Sequence, residues 1–247
     1  MDIFHYLESV KYRYHLNTVD LWNGFITEYK DGLRFLPDEA YLQQIKDVMD
    51  EEELTLVNFA IDGAHIWDPD PDKREQLYKN ALTHLKAAKL LGAKTVRIDT
   101  GGYDSFTMDD EQFEHIVKRY QEYCQIAADY GFVIGPENHM GPSLVPSEMK
   151  KIAEAVNHPS YGVLLHMNRW ELDEEGNGNE WLAPWAFHVH FDPKRTDLAN
   201  ATCEIETLKQ AGYNGCWSVE HYTTTSPFNE VEWALASLKR SLSSYDG

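Results

Sequence analysis

Four short apolar runs in this chain each end in a side chain that can hold a metal ion. They are Phe132-Val-Ile-Gly-Pro-Glu137, Tyr161-Gly-Val-Leu-Leu-His166, Ala186-Phe-His-Val-His190 and Cys216-Trp-Ser-Val-Glu220. The candidate ligands Glu137, His166, His190 and Glu220 are 29, 24 and 30 residues apart. A parallel barrel needs about this interval to return each strand to the same end, so the four side chains can converge on one ion. Two carboxylates and two imidazoles suit a borderline divalent cation, whereas Mg²⁺ prefers an all-oxygen site. One divalent ion is therefore expected, Mn²⁺ first and Zn²⁺ next.

Other residues could contact a ligand. Trp22, Trp67 and Trp170 fall at or just after expected strands, where an indole face can stack on the apolar side of a sugar or an aromatic ligand. His139 follows Glu137 by two residues and could hydrogen-bond a substrate hydroxyl. Alternation along a strand puts Arg97 on the same face as Asp99, and His188 on the same face as His190. Arg97 either pairs with Asp99 inside the barrel or aims at substrate; His188 supports His190 or fills the interior. Lys194 and Arg195 follow the His190 strand and could meet an anionic group at the barrel mouth. Thr100-Gly-Gly-Tyr103 offers backbone N–H groups, but no glycine-rich phosphate loop is present. The acidic stretch Glu171–Glu180 reads as a solvated loop or lid.

These residues need a scaffold of strands alternating with helices, and the chain has one. Strands are expected at Thr18–Trp22, Leu54–Asp62, Thr95–Asp99, Phe132–Glu137, Gly162–His166, Ala186–Phe191 and Cys216–Glu220. Leu77, Ala81, Leu85 and Ala88 form one helical stripe that stops at Gly92. Thr107 is expected to cap a helix that ends at Gly131, and Pro37, Pro146 and Pro227 stand near three further helix starts. Asp2–Tyr14 reads as a helix running directly into the first strand. Seven strands are thus expected where a closed barrel has eight, and the usual first strand is the one missing. An internal start, a partner chain covering the gap and a natively open barrel would each account for it. The expectation is a distorted N-terminal half or a homodimer, since an open edge invites pairing.

At 247 residues, with 43% hydrophobic and 26% charged side chains, the chain fits a single domain with a large core. No apolar run can span a bilayer, and Met1-Asp-Ile-Phe-His-Tyr does not resemble a secretory signal. The three cysteines form no CxxC pair, which fits a reducing, cytoplasmic setting. A net charge of −19, from 41 acidic and 22 basic residues, repels a phosphate backbone and argues against nucleic acid as a partner.

Gly135-Pro-Glu137-Asn-His139, Gly162-Val-Leu-Leu-His166, His188-Val-His190-Phe-Asp192 and Trp217-Ser-Val-Glu220-His221 together resemble the xylose isomerase-like family of sugar phosphate isomerases and epimerases. Thr18-Val-Asp-Leu-Trp22 and Leu91-Gly-Ala-Lys-Thr-Val-Arg97 extend the similarity over nearly the whole chain. The resemblance implies a TIM-type (β/α) barrel with a divalent ion held by Glu, Asp, His and Glu. It puts Glu137, His190 and Glu220 in the first, third and fourth ligand positions. In the second, His166 stands where the family usually has Asp, which removes one negative charge. That departure implies an altered metal preference, a His166 that does not bind, or a decayed site.

The resemblance further implies an isomerase or epimerase acting on a sugar, keto-polyol or related hydroxy-ketone, by proton abstraction next to a carbonyl polarised by the ion, with Glu137 and Glu220 as the catalytic pair, since a carboxylate near that acidified C–H can act as a base. The same proton abstraction followed by loss of a leaving group would give a lyase or dehydratase on a sugar or glycoside. A non-catalytic binding subunit with a degenerate metal site is the alternative from a different class. Endonucleolytic cleavage, known in a relative of this barrel, would need more ligands and a basic face.

Overall fold

The computed structural model describes residues 2–173, 175–221 and 225–245. Strands β1 (Thr18–Trp22), β4 (Thr55–Ile61), β5 (Thr95–Ile98) and β6 (Val133–Gly135) form one parallel sheet in that order. Strands β7 (Val163–His166), β8 (Ala186–Phe191) and β9 (Trp217–Val219) form a second parallel sheet. Helices α2 (Glu39–Glu51), α3 (Pro71–Leu91), α4 (Asp110–Tyr130), α5 (Pro146–Val156), α6 (Gly178–Leu182), α7 (Thr202–Gln210) and α8 (Pro227–Tyr245) alternate with these strands. The helices start and stop where their caps require. Asp70 caps α3 by accepting from Asp72 N–H, and Gly92 ends it at φ 76°, a left-handed conformation that costs glycine little. At α4 the cap is Asp109, which accepts from Gln112 N–H, and not the expected Thr107. Thr107 instead closes a small turn with Ser105.

The sheets meet at β6 and β7 through the bridges Ile134–Tyr161 and Glu137–Leu164. Backbone bonds from Gly162 N–H to Ile134 O and from Leu164 N–H to Pro136 O hold this seam. A Cβ at Gly135 would lie 1.7 Å from Gly162 O, so the seam closes only with glycine there. Among the described residues, no ladder pairs β9 with β1. Side chains span that interval instead: Asp20 of β1 accepts from His188 Nε2 and His190 Nε2 of β8, at 2.7 and 2.8 Å.

The chain before β1 supports the same interval. Helix α1 (Ile3–Glu8) runs into a π turn over Ser9–Arg13 and buries Ile3, Leu7 and Val10. Tyr6 donates to the backbone oxygen of Asp20, while Arg13 bonds Glu232 and Asn229 of α8 and lies over the Phe228 ring. The expected seven strands are therefore present in the barrel.

An antiparallel hairpin, β2 (Glu28–Lys30) and β3 (Leu33–Phe35), was not expected. Its signal is Asp31-Gly32, whose φ values of 52° and 78° suit a tight hairpin turn. The flanking strands have only three residues each, and β2 is exposed throughout, so they are too short for hydrophobic patterning to single them out. Glu137 and Glu220 fall just beyond β6 and β9, which end earlier than expected. In the acidic stretch, Asp173 accepts from Asn177 and Gly178 N–H and leads into α6; Glu174 lies outside the described residues. No described helix is long and apolar enough to cross a membrane.

Candidate metal centre

Strands β6 to β9 deliver their last inward side chains to one buried point. Parallel register sets His166 opposite His190 and His190 opposite Ser218, so the strand ends stay level. His166 Nδ1 lies 3.2 Å from Glu137 Oε1 and 3.0 Å from Glu220 Oε2. His190 Nδ1 lies 3.6 and 3.2 Å from the same two oxygens. All four donor atoms fall within 4.8 Å of one another. Donors bound at about 2.1 Å around one ion are separated by about 3.0–3.4 Å, so the residues fit a single small cation. A second observation agrees: His190 Nδ1 is buried with no hydrogen-bond partner among the described residues, although it faces two carboxylates. His166 Nε2 is likewise buried and unbonded, 4.0 Å from Asp192 Oδ2.

The surroundings orient these donors. Asp20 takes the Nε2–H of His190 and so turns Nδ1 towards the cluster, as partners beyond a ligand commonly do. Burial disfavours a charged His190 ring, but Asp20 outweighs it and holds the pKa well above the usual value. Burial also pushes the Asp20 carboxyl up, yet the charges of His188 and His190 prevail and bring it well down. His188 uses Nε2 for Asp20 and Ser218 Oγ, and supports the cluster without joining it. Asn138 fixes the β7 end by donating to His166 O and accepting from His166 N–H.

Cations also border the site. Arg97 is buried and bonds Asp62 Oδ1 at 2.6 Å and Asp99 Oδ2 at 3.0 Å, with Nε 3.3 Å from Glu137 Oε2. Arg169 Nη1 lies 3.2 Å from Glu137 Oε1 and 3.4 Å from His166 Nδ1. Burial opposes ionisation of both glutamates. Contacts from His166 and His190 outweigh it and hold Glu137 and Glu220 well below the usual carboxylate range. The two are not equivalent: Glu137 is 2% exposed and Glu220 24%.

The other expected contact residues are spread more widely. His139 donates Nδ1–H to Asp99 Oδ2 at 2.8 Å and lines a cavity next to the cluster. Trp22 donates to Asp62 Oδ2 and is partly exposed near the same cavity. Trp67 packs between α3 and α4, against Arg74 and His115, away from the four donors. Trp170 is held by Asn179 beside α6. Arg97 is committed to the interior ion network, and Lys194 is exposed in the turn after β8. Asp20 and Arg169 were missed. Asp20 could have been found as the inward residue between Thr18 and Trp22, and Arg169 as the only cation within three residues of a ligand strand end on the β7 side.

A family model described as xylose isomerase-like TIM barrel matches residues 19–241. Among curated proteins, no sequence matches the chain. Solved structures do. L-ribulose 3-epimerase superposes with a TM-score of 0.76 at 13% identity, covering 99% of this chain and 91% of its own. The IOLI protein with a bound zinc atom gives 0.74 at 14%, covering 99% and 93%. D-psicose 3-epimerase with D-tagatose from Clostridium cellulolyticum H10 gives 0.68 at 17%, covering 100% and 93%. At these identities the likeness is one of fold.

Proposed function

The chain belongs to the xylose isomerase-like TIM barrel family, and on that premise we propose that it is a divalent-metal-dependent isomerase or epimerase acting on a sugar, keto-polyol or related hydroxy-ketone in the cytoplasm. The observation that carries the reading is the spacing of four donors from four strand ends, with imidazole–carboxylate contacts of 3.0–3.6 Å. Glu137, His166, His190 and Glu220 would hold the ion. Mn²⁺ is the first choice and Zn²⁺ the second, because two imidazoles disfavour Mg²⁺. When bound, such an ion supplies Lewis acidity that lowers the pKa of a C–H beside a coordinated carbonyl.

The chain's own residues then divide the proton work. Glu137 is fixed by Arg97, Arg169 and a backbone bond from its N–H to Asp99, and stays on one side of the cluster. Glu220 is the more accessible carboxylate, from the opposite sheet. Each carboxylate is kept ionised by its neighbours and is ready to take the carbon-bound proton; whichever one returns a proton must first have gained it, from the carbon or from solvent. Returning it to the same carbon on the other face epimerises; returning it to the adjacent carbon isomerises. His139, anchored by Asp99 at the cavity wall, is placed to hydrogen-bond a substrate hydroxyl.

The test is turnover by the Mn²⁺-loaded protein on a panel of ketoses and aldoses, with products followed by NMR in D₂O. The reading expects a mass-conserving product with deuterium at the exchanged carbon. Glu137→Gln and Glu220→Gln should each lower kcat by about 10²–10⁴. Loss of water or of an aglycone would instead assign the lyase chemistry, and unchanged turnover in both variants would remove the carboxylates from the reaction.

A further inference from the structure

A cavity of about 310 Å³ adjoins the metal cluster. Asp99 and His139 line it, and both are grouped closely with Glu137 of the cluster, whose N–H donates to Asp99 Oδ1. The opposite wall comes from the β2–β3 hairpin and the chain after β4, through Tyr29, Arg34, His65 and Lys73. Volume and position suit the part of a small substrate that extends away from the reacting carbons.

The acids and bases of this cavity are unequally satisfied. Asp62 gives one oxygen to Arg97 and the other to Trp22 Nε1. Asp99 receives Arg97 and His139 on one oxygen and Glu137 N–H on the other. Both carboxylates are thus committed to the protein. The cations are not. Among the described residues, no carboxylate lies within ion-pair distance of Arg34 or Lys73. Among the same residues, Lys73 donates only to the backbone oxygen of Asp31, and the Arg34 guanidinium makes no hydrogen bond. That guanidinium instead lies 4.5 Å from the Trp22 ring centroid and 5.3 Å from that of Tyr29. Two aromatic faces hold its plane and leave its N–H edge for another acceptor.

In a chain of net charge −19, carboxylates are abundant, and two cations left without one beside a cavity form an anion-binding arrangement. We propose that this cavity receives an anionic group of the substrate, a carboxylate or a phosphate, held by Arg34 and Lys73. The inference rests on the metal cluster being the reaction centre. It assigns the substrate to the sugar acids or sugar phosphates, with its charge at the end distant from the reacting carbonyl. Arg34 provides the planar two-point contact and Lys73 a point charge, the division expected of the two side chains.

Calorimetric titration of the protein as purified tests this with two matched pairs, D-fructose 6-phosphate against D-fructose and D-galacturonate against D-galactose. One charged member should bind at least about 10-fold more tightly than its neutral partner, as charge-assisted hydrogen bonds do. The pair that shows the advantage identifies phosphate or carboxylate. Arg34→Gln combined with Lys73→Met should abolish the advantage and leave neutral-sugar affinity and metal content unchanged; Arg34→Lys should retain part of it. Equal affinity within both pairs, or an advantage that survives the double variant, overturns the proposal. Glu220→Gln separates this inference from the chemistry. Charge-dependent binding that persists in this variant supports the anion site independently of turnover, whereas absence of turnover by the parent protein on every panel sugar, with that binding intact, counts against the isomerase reading alone.

Discussion

The two sheets of the barrel handle buried charge differently. In the β1-β4-β5-β6 sheet, Arg97 meets Asp62, Asp99 and Glu137, and Asp99 also meets His139. Each of those carboxylates has a cationic side chain of the same sheet beside it, and Arg97 Nε, though without a hydrogen bond among the described residues, lies 3.3 Å from Glu137 Oε2. In the β7-β8-β9 sheet the ionisable groups are imidazoles, and two of their nitrogens, His166 Nε2 and His190 Nδ1, are buried with no hydrogen-bond partner among the described residues. Burying a polar group without a partner is costly, so the first arrangement reads as structure and the second as a place for something else. Glu137 belongs to both, anchored by the first sheet and presented to the second.

That contrast can be broken from either side. The largest effect is expected from Arg97→Met, which strips the common counter-charge from three carboxylates; breaking such a buried network costs about 3–5 kcal/mol, measurable as a fall in Tm. Next comes a buried imidazole outside either network. His84 of α3 contacts Asn23 and Asn80, and burial brings its pKa down to about 4. Its folded value lies below the unfolded value of about 6.5. The unfolded chain therefore binds the extra proton first, and stability present above pH 6.5 falls as pH drops towards 4. The loss is about 3 kcal/mol, from 1.36 kcal/mol per pKa unit. Chemical denaturation between pH 7 and pH 4 should show it, and His84→Gln should flatten that part of the profile.

A smaller change concerns the junction of the sheets. Gly135→Ala forces a methyl against Gly162 O and should cost about 1–3 kcal/mol, as overpacking does. Because Glu137 follows the same seam, metal affinity should fall with it. The smallest effect has the opposite sign. Arg169 brings a positive charge to Glu137 Oε1, so Arg169→Met should tighten metal binding by about tenfold, a gain of about 1.4 kcal/mol. Weaker binding in that variant would make Arg169 a support for the donors rather than a competitor of the ion.

Much of this was legible in the sequence, for a physical reason. Buried parallel strands must be apolar runs, and the side chain at each C-terminal end is fixed by alternation, so Glu137, His166, His190 and Glu220 could be read together. Seven strands could be counted in the same way. The hairpin was illegible to that reading because its strands are short and solvated, although Asp31-Gly32 announced its turn. Arg34 was lost with it. Asp20 was passed over because a lone acid in a strand gives no sign of which distant imidazoles it will meet. The Trp67 placement differs for a related reason. Position near a strand end does not fix direction, and the indole found Arg74 and His115 in the helical layer.

The central claim is that strands from both sheets build one metal site from Glu137, His166, His190 and Glu220. Elemental mass spectrometry of the protein purified without chelators or a metal-affinity column tests it directly, beside a Glu137→Ala/His190→Ala variant. About one equivalent of manganese or zinc in the parent, absent from the variant, is the predicted result. No bound ion in the parent and none taken up on reconstitution, or equal occupancy in the variant, would contradict it.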